Sequence, residues 1–183
     1  MCIWQNGGSC LKKEVKTEPD ICGKLKLEAA SGLKHLQFIL LEYRFFRDSE
    51  EGNALPLNLP RVLAPLSLAL HIVESRALTL LRLPCYFVKL ETRIVGLWAI
   101  QERNESLVVA SIGVAKEYRR LGIGTCILSY IEAIAEHLGK RWLETLVLSR
   151  NIPAQRLYLK HGFAFIQVER MHCIMRKEAC TAH

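Results

Sequence analysis

Residues 107–125 have the sequence LVVASIGVAKEYRRLGIGT. Residues 107–114 are a nearly continuous apolar run, which is the pattern of a central strand buried on both faces. After Gly124, apolar residues recur at the spacing of one helix face, as at Ile127 and Ile131. The sequence therefore predicts a turn that leads from a buried strand directly into an amphipathic helix.

The predicted turn has the features of a phosphate-binding site. Gly122 and Gly124 allow the backbone to turn tightly and to approach a ligand closely. The N–H groups at the helix start and the helix dipole favour an anion, and Arg119 and Arg120 add positive charge. The functional interpretation is a phosphate or pyrophosphate site, and the alternative is a turn that uses glycine for steric reasons. The turn does not contain the P-loop pattern GxxxxGK[ST]. It does not contain the dinucleotide-binding pattern GxGxxG either, because position 127, where the third glycine would fall, is Ile.

The composition indicates a folded globular chain. Of the 183 residues, 50% are hydrophobic and 23% are charged, so the chain can bury enough apolar surface to offset its ordering entropy. We predict a single domain over residues 23–183, preceded by a flexible arm over residues 1–22. The longest nearly uncharged apolar run, residues 62–73, is shorter than the about 20 residues that a membrane span needs. No membrane association is predicted.

The net charge of +7 favours polyanionic partners. A phosphorylated cofactor and an RNA partner are both compatible with this charge, and so is a role in solubility alone. No aromatic and basic motif supports RNA binding.

Seven cysteines occur at irregular spacing and without a CxxC motif, so no metal site is predicted. The N-terminus lacks a charged leader followed by an apolar run, which argues against a secretory signal. We therefore predict a cytoplasmic protein with reduced thiols, in which Cys126 is a buried residue and not a nucleophile. A disulfide among Cys2, Cys10 and Cys22 is the alternative.

The periodicities along the chain predict a mixed α/β domain with helices on the faces of one sheet. The chemistry is expected where parallel strands lead into helices. The predicted helices cover residues 32–46, 61–81, 124–138 and 151–161. The predicted strands cover residues 24–28, 86–91, 94–101, 107–114, 142–148, 163–168 and 172–177.

A second motif lies at residues 151–163, NIPAQRLYLKHGF. It matches N-x-x-A-x-x-L-Y-x-x-x-G-F, and residues 119–124, RRLGIG, match [R/Q]-x-x-G-x-[G/A]. In this order and on these predicted elements, the two motifs resemble the GNAT superfamily of N-acetyltransferases over residues 86–165. The resemblance implies an α/β, mostly antiparallel sheet with a V-shaped splay between its fourth and fifth strands and helices on both faces. It also implies a monomer, or a homodimer paired through strand edges.

The resemblance implies acetyl-CoA as the cofactor. Its pantetheine arm would pair with the strand backbone at Ile112, Gly113 and Val114. Asn151 would line the slot with its amide, and Tyr158 completes the predicted cofactor contacts. The pyrophosphate would bind to the turn and helix start formed by Arg119, Arg120, Leu121, Gly122, Ile123, Gly124 and Thr125.

The resemblance also implies direct transfer of the acetyl group to a primary amine. The amine attacks the thioester carbonyl, and a strand N–H near Val114 hydrogen-bonds the oxygen of the tetrahedral intermediate. Tyr158 holds the family's general-acid position. A Tyr with a pKa of about 10 is protonated at neutral pH and can donate to a thiolate whose thiol has a pKa of about 8.5. The alternative is that Tyr158 only packs on the inner face of its helix.

Neither motif identifies the residue that accepts the proton from the amine. Two positions that hold a glutamate in parts of the family are Val108 and Leu146 here. Glu144 lies two residues before Leu146 on the same strand face, so we predict it as the candidate base. A solvated surface charge at Glu144, with proton transfer to water, is the alternative.

The acceptor stays open between a small amine and a protein N-terminus, with the N-terminus slightly favoured by the second motif. Aminoacyl-tRNA is a further alternative that the basic charge would suit. A non-catalytic module that binds acyl-CoA and regulates a partner is the alternative of a different class.

Overall fold

The computed structural model describes residues 21–47 and 83–179, together with the backbone of residues 2–5 and 9–12. The helix predicted over residues 61–81 lies outside the described residues. The helices are α1 (Ile21–Lys24), α2 (Lys34–Arg47), α3 (Ile123–His137) and α4 (Ile152–Lys160), with a short 3-10 turn at Lys116–Tyr118. The strands are β1 (Cys2–Gln5), β2 (Ser9–Lys12), β3 (Leu25–Ala29), β4 (Cys85–Leu90), β5 (Arg93–Glu102), β6 (Ser106–Val114), β7 (Trp142–Leu148), β8 (Ala164–Val168) and β9 (His172–Glu178).

Seven strands form one sheet in the order β3-β4-β5-β6-β7-β9-β8. The pairs β3–β4, β4–β5, β7–β9 and β8–β9 are antiparallel, whereas β6 and β7 run parallel. β6 and β7 are the fourth and fifth strands of the predicted sheet. The predicted mixed, mostly antiparallel α/β fold is therefore confirmed. β1 and β2 form a separate antiparallel hairpin within the predicted arm, and the flexibility of that arm stays a prediction.

The parallel ladder between β6 and β7 is shorter than either strand. It runs from Ser106–Trp142 to Val109–Thr145. At its end, Thr145 Oγ1 donates to the Val109 carbonyl at 3.1 Å. A side-chain hydroxyl therefore bonds this buried carbonyl at the point where the backbone ladder stops, which is the position of the predicted splay.

The described residues fall into two compact units. The first contains residues 101–109 and 121–179 with the segments before residue 24, and the second contains residues 24–47, 83–100 and 110–120. The prediction of one domain over residues 23–183 stays a prediction. The helices of the described residues are too short or too polar for any of them to cross a lipid bilayer.

The core of the first unit forms because α3 and the strands present apolar faces at their characteristic periods. One face of α3 buries Ile123, Ile127 and Ile131. Leu143 of β7 and Met175 of β9 are also fully buried. At the end of α3, Lys140 Nζ donates to the Arg103 carbonyl at 2.9 Å, which fixes the start of β7 beside the β5–β6 turn.

In the second unit, α2 supplies one side of the core. Phe38, Ile39 and Phe45 of α2 are buried with Phe87 of β4 and Leu97 of β5. The rings of Phe38 and Phe87 lie 5.8 Å apart at their centroids. This packing positions the end of β6, which belongs to the same unit.

Candidate functional site

The first turn of α3 carries backbone N–H groups that can bind an anion. Gly122 precedes the helix with a φ of 83°, in the left-handed region. The first intrahelical bond runs from the Cys126 N–H to the Gly122 carbonyl, at 3.0 Å. No side chain among the described residues caps this helix end, so the N–H groups of Ile123, Gly124 and Thr125 have no partner within the helix. The helix dipole adds partial positive charge, which suits the turn to an anion.

Gly122 and Gly124 are required for different physical reasons. The positive φ of Gly122 is a conformation that glycine adopts without steric cost. A Cβ atom on Gly124 would lie 3.1 Å from Leu157 Cδ2 of α4, which is closer than carbon atoms normally pack. The sequence predicts that both glycines serve the turn and the ligand. The structure adds close packing between α3 and α4 as the reason for Gly124.

The two arginines before α3 have different surroundings. Arg119 Nε donates to the Val114 carbonyl at 3.1 Å, and its Nη2 donates to the Phe45 carbonyl at 3.0 Å. These bonds commit Arg119 to the backbone of β6 and α2. Arg120 is exposed and has a φ of 66°, a conformation that costs a non-glycine residue about 1–2 kcal/mol. Of the two predicted cationic residues, Arg120 is the one whose guanidinium faces solvent.

Ile112, Gly113 and Val114 form the half-buried end of β6. A Cβ atom on Gly113 would lie 3.2 Å from Leu97 Cδ1 and 3.2 Å from Phe45 Cδ2. Glycine therefore allows β6 to pack closely against the core of the second unit. The Val114 carbonyl already accepts an arginine N–H, so pairing with a ligand at Val114 would rely on its N–H group.

Asn151 lies at the N-cap of α4, and Tyr158 lies within this helix. Asn151 Oδ1 accepts the Ala154 N–H at 2.9 Å and so caps the helix. The NH2 group is the part of this amide that can contact a ligand. Tyr158 is 5% exposed, and its ring packs edge-on against Phe163 with the centroids 5.1 Å apart. The first unit therefore contains both residues together with the first turn of α3.

Glu144 lies in a cluster of ion pairs and hydrogen bonds on β7. Its Oε1 accepts Arg176 Nε at 2.8 Å and Nη2 at 2.6 Å. Its Oε2 accepts Ser106 Oγ at 3.3 Å and lies 3.9 Å from Arg103 Nη1. The Arg176 guanidinium also lies over the Trp142 ring. Both carboxylate oxygens of Glu144 thus already have partners on β6, β9 and the turn between β5 and β6.

Gln155 has a role at the end of β7 that the sequence did not reveal. Its Nε2 donates to the Leu148 carbonyl at 3.1 Å and to the Ser149 carbonyl at 2.8 Å. The Asn151 N–H also donates to the Leu148 carbonyl, at 2.8 Å. These bonds satisfy strand-end carbonyls beyond the β6–β7 ladder. Gln155 occupies a variable position of the second motif, so the motif could not identify it.

Glu42 on α2 is a second residue that sequence reasoning missed. Ser111 Oγ donates to Glu42 Oε1 at 2.9 Å, which ties α2 to β6 next to Ile112. Burial and the nearby charge of Glu42 raise the pKa of the Cys85 thiol to about 12. Glu42 and Ser111 are 69 residues apart in the chain, so no local pattern links them.

Cys22 and Cys126 form a disulfide, with their Cα atoms 5.6 Å apart. The prediction of reduced thiols is therefore wrong for this pair, and Cys22 does not pair with another N-terminal cysteine. Cys126 is buried, as predicted. The partners are 104 residues apart, which is why cysteine spacing gave no indication of the bond.

These residues can bind an anion and donate a proton. The first turn of α3 supplies N–H donors, and a tyrosine at position 158 supplies a phenol. Among residues 21–47 and 83–179, no three His, Cys, Asp or Glu side chains come together as metal ligands would.

The sequence model of the Acetyltransferase (GNAT) family matches residues 64–163 of this 183-residue chain. The chain belongs to the GNAT acetyltransferase family. The predicted resemblance is thus confirmed, and acyltransferase chemistry that uses acyl-CoA is the general property of this family.

Solved GNAT structures share the fold at low sequence identity. The ribosomal-protein-S18-alanine N-acetyltransferase from Escherichia coli is 15% identical with a TM-score of 0.62, covering 87% of this chain and 96% of its own. The PaiA N-acetyltransferase from Thermoplasma acidophilum, in complex with coenzyme A, is 15% identical with a TM-score of 0.61, and the match covers 84% of this chain and 98% of that protein. Ard1 from Thermoplasma volcanium is 16% identical with a TM-score of 0.57, and the match covers 85% of this chain and 98% of that protein. At these identities the likeness shows the GNAT fold alone. No curated protein sequence matches the chain.

Proposed function

We propose that this GNAT protein is an N-acetyltransferase that moves an acetyl group from acetyl-CoA to a primary amine by direct transfer. The observation that carries the proposal is the first turn of α3, which overlaps the motif at residues 119–124 and which no side chain of the described residues caps. Family membership supports acyl transfer in general. The N–H groups of this turn, which have no partner within the helix, support a cofactor that bears a diphosphate.

The start of α3 fits the diphosphate of acetyl-CoA. The N–H groups from Arg120 to Thr125 would donate hydrogen bonds, and the exposed Arg120 guanidinium would add charge. Gly122 has no side chain that could project into a bound diphosphate. The backbone of residues 112–114 would hold the pantetheine arm, and the NH2 group of Asn151 would line the slot. When bound, acetyl-CoA supplies a thioester carbonyl that an amine can attack.

Tyr158 is the proposed general acid. A phenol with a pKa of about 10 is protonated at neutral pH and can donate to a departing thiolate. Burial and the contact with Phe163 restrict the ring, so the hydroxyl is positioned before the substrate arrives. A β6 N–H near Val114 is the proposed donor to the carbonyl oxygen.

The acceptor ammonium must lose a proton before it can attack. Glu144 is the sequence-predicted base, but its two oxygens accept bonds from Arg176 and Ser106. We therefore propose that the proton passes to solvent water and that Glu144 mainly holds β7 to its neighbours.

A peptide N-terminus is the favoured class of acceptor. The second motif, residues 151–163, supports this choice because it resembles the N-terminal protein acetyltransferases. The absence of a glutamate at Leu146 weighs against it. A small amine is the other acceptor class to be tested.

A regulatory module that binds acyl-CoA without turnover is the second candidate function. The observation that favours it is the replacement of both family glutamate positions by Val108 and Leu146. Tyr158 opposes it, because a module that only binds the cofactor needs no general acid.

The substitution Tyr158→Phe distinguishes the two functions. Thiol release from acetyl-CoA is followed with a peptide that bears a free α-amino group, or with spermidine, and acetyl-CoA binding is measured by calorimetry. For an enzyme we expect kcat to fall by about 100-fold or more, with binding unchanged. The control is Tyr86→Phe, which removes a hydroxyl from β4. Turnover that survives Tyr158→Phe contradicts the assigned acid, and binding without turnover by the unaltered protein supports the regulatory module.

A further inference from the structure

The Cys22–Cys126 disulfide joins the segment before β3 to the helix end that we propose binds the cofactor. Cys126 lies in the first turn of α3, where its N–H bonds to the Gly122 carbonyl at 3.0 Å. Cys126 is 1% exposed, whereas Cys22 is half-buried. The bond therefore fixes the same turn whose N–H groups would meet a diphosphate.

Two further contacts hold this segment on α3. Tyr130 Oη donates to the Cys22 carbonyl at 3.0 Å, one helical turn beyond Cys126. Ile21 Cγ2 lies 3.9 Å from the position that a Cβ atom on Gly122 would occupy. The short helix α1 thus lies against the start of α3, and the disulfide is the covalent part of this attachment.

We propose that Cys22 and Cys126 are a thiol–disulfide modification site whose oxidation state sets the affinity of the α3 turn for acyl-CoA. This inference rests on the proposed function. When the disulfide is formed, α1 restrains the first turn of α3. This turn then loses less conformational freedom when the diphosphate of acyl-CoA binds, and the affinity is higher. Reduction removes the covalent part of this attachment and leaves noncovalent contacts such as the hydrogen bond from Tyr130 to the Cys22 carbonyl, so the affinity falls.

Reduction by a dithiol follows ordinary thiol–disulfide exchange. A thiolate of the reductant attacks the sulfur of Cys22, which is the more exposed partner, and the S–S bond breaks with Cys126 as the leaving thiolate. The position of Cys126 at a helix N-terminus stabilises that thiolate. The second thiol of the reductant then releases Cys22. The protein gains two electrons and two protons, and the dithiol becomes a disulfide.

Cys85 and Cys173 are buried free cysteines whose thiols resist ionisation. Burial and the charge of Glu42 raise the pKa of Cys85 to about 12, and burial raises the pKa of Cys173. Because the thiolate is the reactive form of cysteine, redox reagents should act on Cys22 and Cys126 in preference to these two.

The test compares acetyl-CoA affinity of the full chain before and after treatment with dithiothreitol, with the disulfide followed by mass spectrometry. We expect Kd to rise about fivefold or more on reduction. Cys22→Ala and Cys126→Ala should both match the reduced protein and should not respond to dithiothreitol. Because linkage is reciprocal, saturating acetyl-CoA should shift the disulfide equilibrium in a glutathione buffer by the same factor.

Equal Kd values for the oxidised and reduced protein would overturn the inference and leave the proposed function standing. If mass spectrometry finds no Cys22–Cys126 bond in the purified protein, that result also overturns the inference. Absence of acetyl-CoA binding in both redox states instead overturns the proposed function. If Cys126→Ala does not fold, Cys22→Ala at the half-buried position provides the same comparison.

Discussion

Asn151 uses one atom of its side-chain amide for the fold and is a proposed ligand contact through the other. Its Oδ1 caps α4 by accepting the Ala154 N–H at 2.9 Å, and its NH2 group stays available for a ligand. Arg119 differs, because its guanidinium donates to the Val114 and Phe45 carbonyls. Residues of the two motifs therefore divide between proposed cofactor contacts and structural anchors.

Two substitutions separate the roles of Asn151. Asn151→Ala removes the cap and should lower the free energy of unfolding by about 1 kcal/mol. Asn151→Ser keeps a capping oxygen but has no NH2 group, so stability should be retained while acetyl-CoA affinity falls. Urea denaturation and calorimetry measure the two effects. Unchanged affinity in Asn151→Ser excludes the amide as a ligand contact, and unchanged stability in Asn151→Ala excludes the cap as a stabilising interaction.

For single residues, the sequence predicts a functional role only where the residue belongs to a recurrent motif. Gly122, Asn151 and Tyr158 were identified because two motifs place them at fixed spacings. A single polar residue in a helix or strand has no such signal. Its partner is known only once the chain has folded, and this is the case for Glu42, Thr145 and Gln155.

Among the secondary-structure elements, Glu132 of α3 connects three parts of the first unit. Lys177 Nζ of β9 donates to Glu132 Oε1 at 2.7 Å, and His161 Nδ1, just after α4, lies 3.3 Å from the same oxygen. Burial raises the pKa of Glu132, but the hydrogen bonds with His161 and Lys177 outweigh burial. The pKa of Glu132 therefore lies below its usual 4.5.

This lowered pKa predicts how stability depends on pH. A carboxylate with a lower pKa in the folded state contributes stability above its unfolded pKa, and this stability is lost as pH falls through the folded pKa. We expect the unfolding free energy of Glu132→Gln to decline less steeply below pH 4.5 than that of the unaltered protein. Urea denaturation at several pH values tests this, with the exposed Glu178→Gln as control. Parallel pH curves for Glu132→Gln and the unaltered protein would contradict it.

The elements themselves were largely predictable. The helix predicted over residues 124–138 is α3 at Ile123–His137, and the strand predicted over residues 142–148 is β7. Both have strong periodic or continuous apolar patterns. The end of the β6–β7 ladder was predictable only through the resemblance, because it depends on the contact between Thr145 and Val109.

For the whole molecule, two motifs in the correct order were enough to predict the family and the sheet. They could not predict the Cys22–Cys126 bond, since its partners are 104 residues apart and a disulfide depends on the distance and direction of two side chains in the folded chain. That bond attaches α1 to the helix end on which the proposed activity depends.

The most direct test of cofactor binding at α3 is calorimetric titration of acetyl-CoA into the unaltered protein, Gly122→Glu and Gly139→Glu. Both glycines have a positive φ, 83° and 62°, and they flank opposite ends of α3, so the substitutions impose comparable strain and the same charge change. We expect the unaltered protein and Gly139→Glu to bind acetyl-CoA and Gly122→Glu to lose binding. Failure of the folded, unaltered protein to bind, or equal binding by Gly122→Glu, would contradict a diphosphate site at the start of α3.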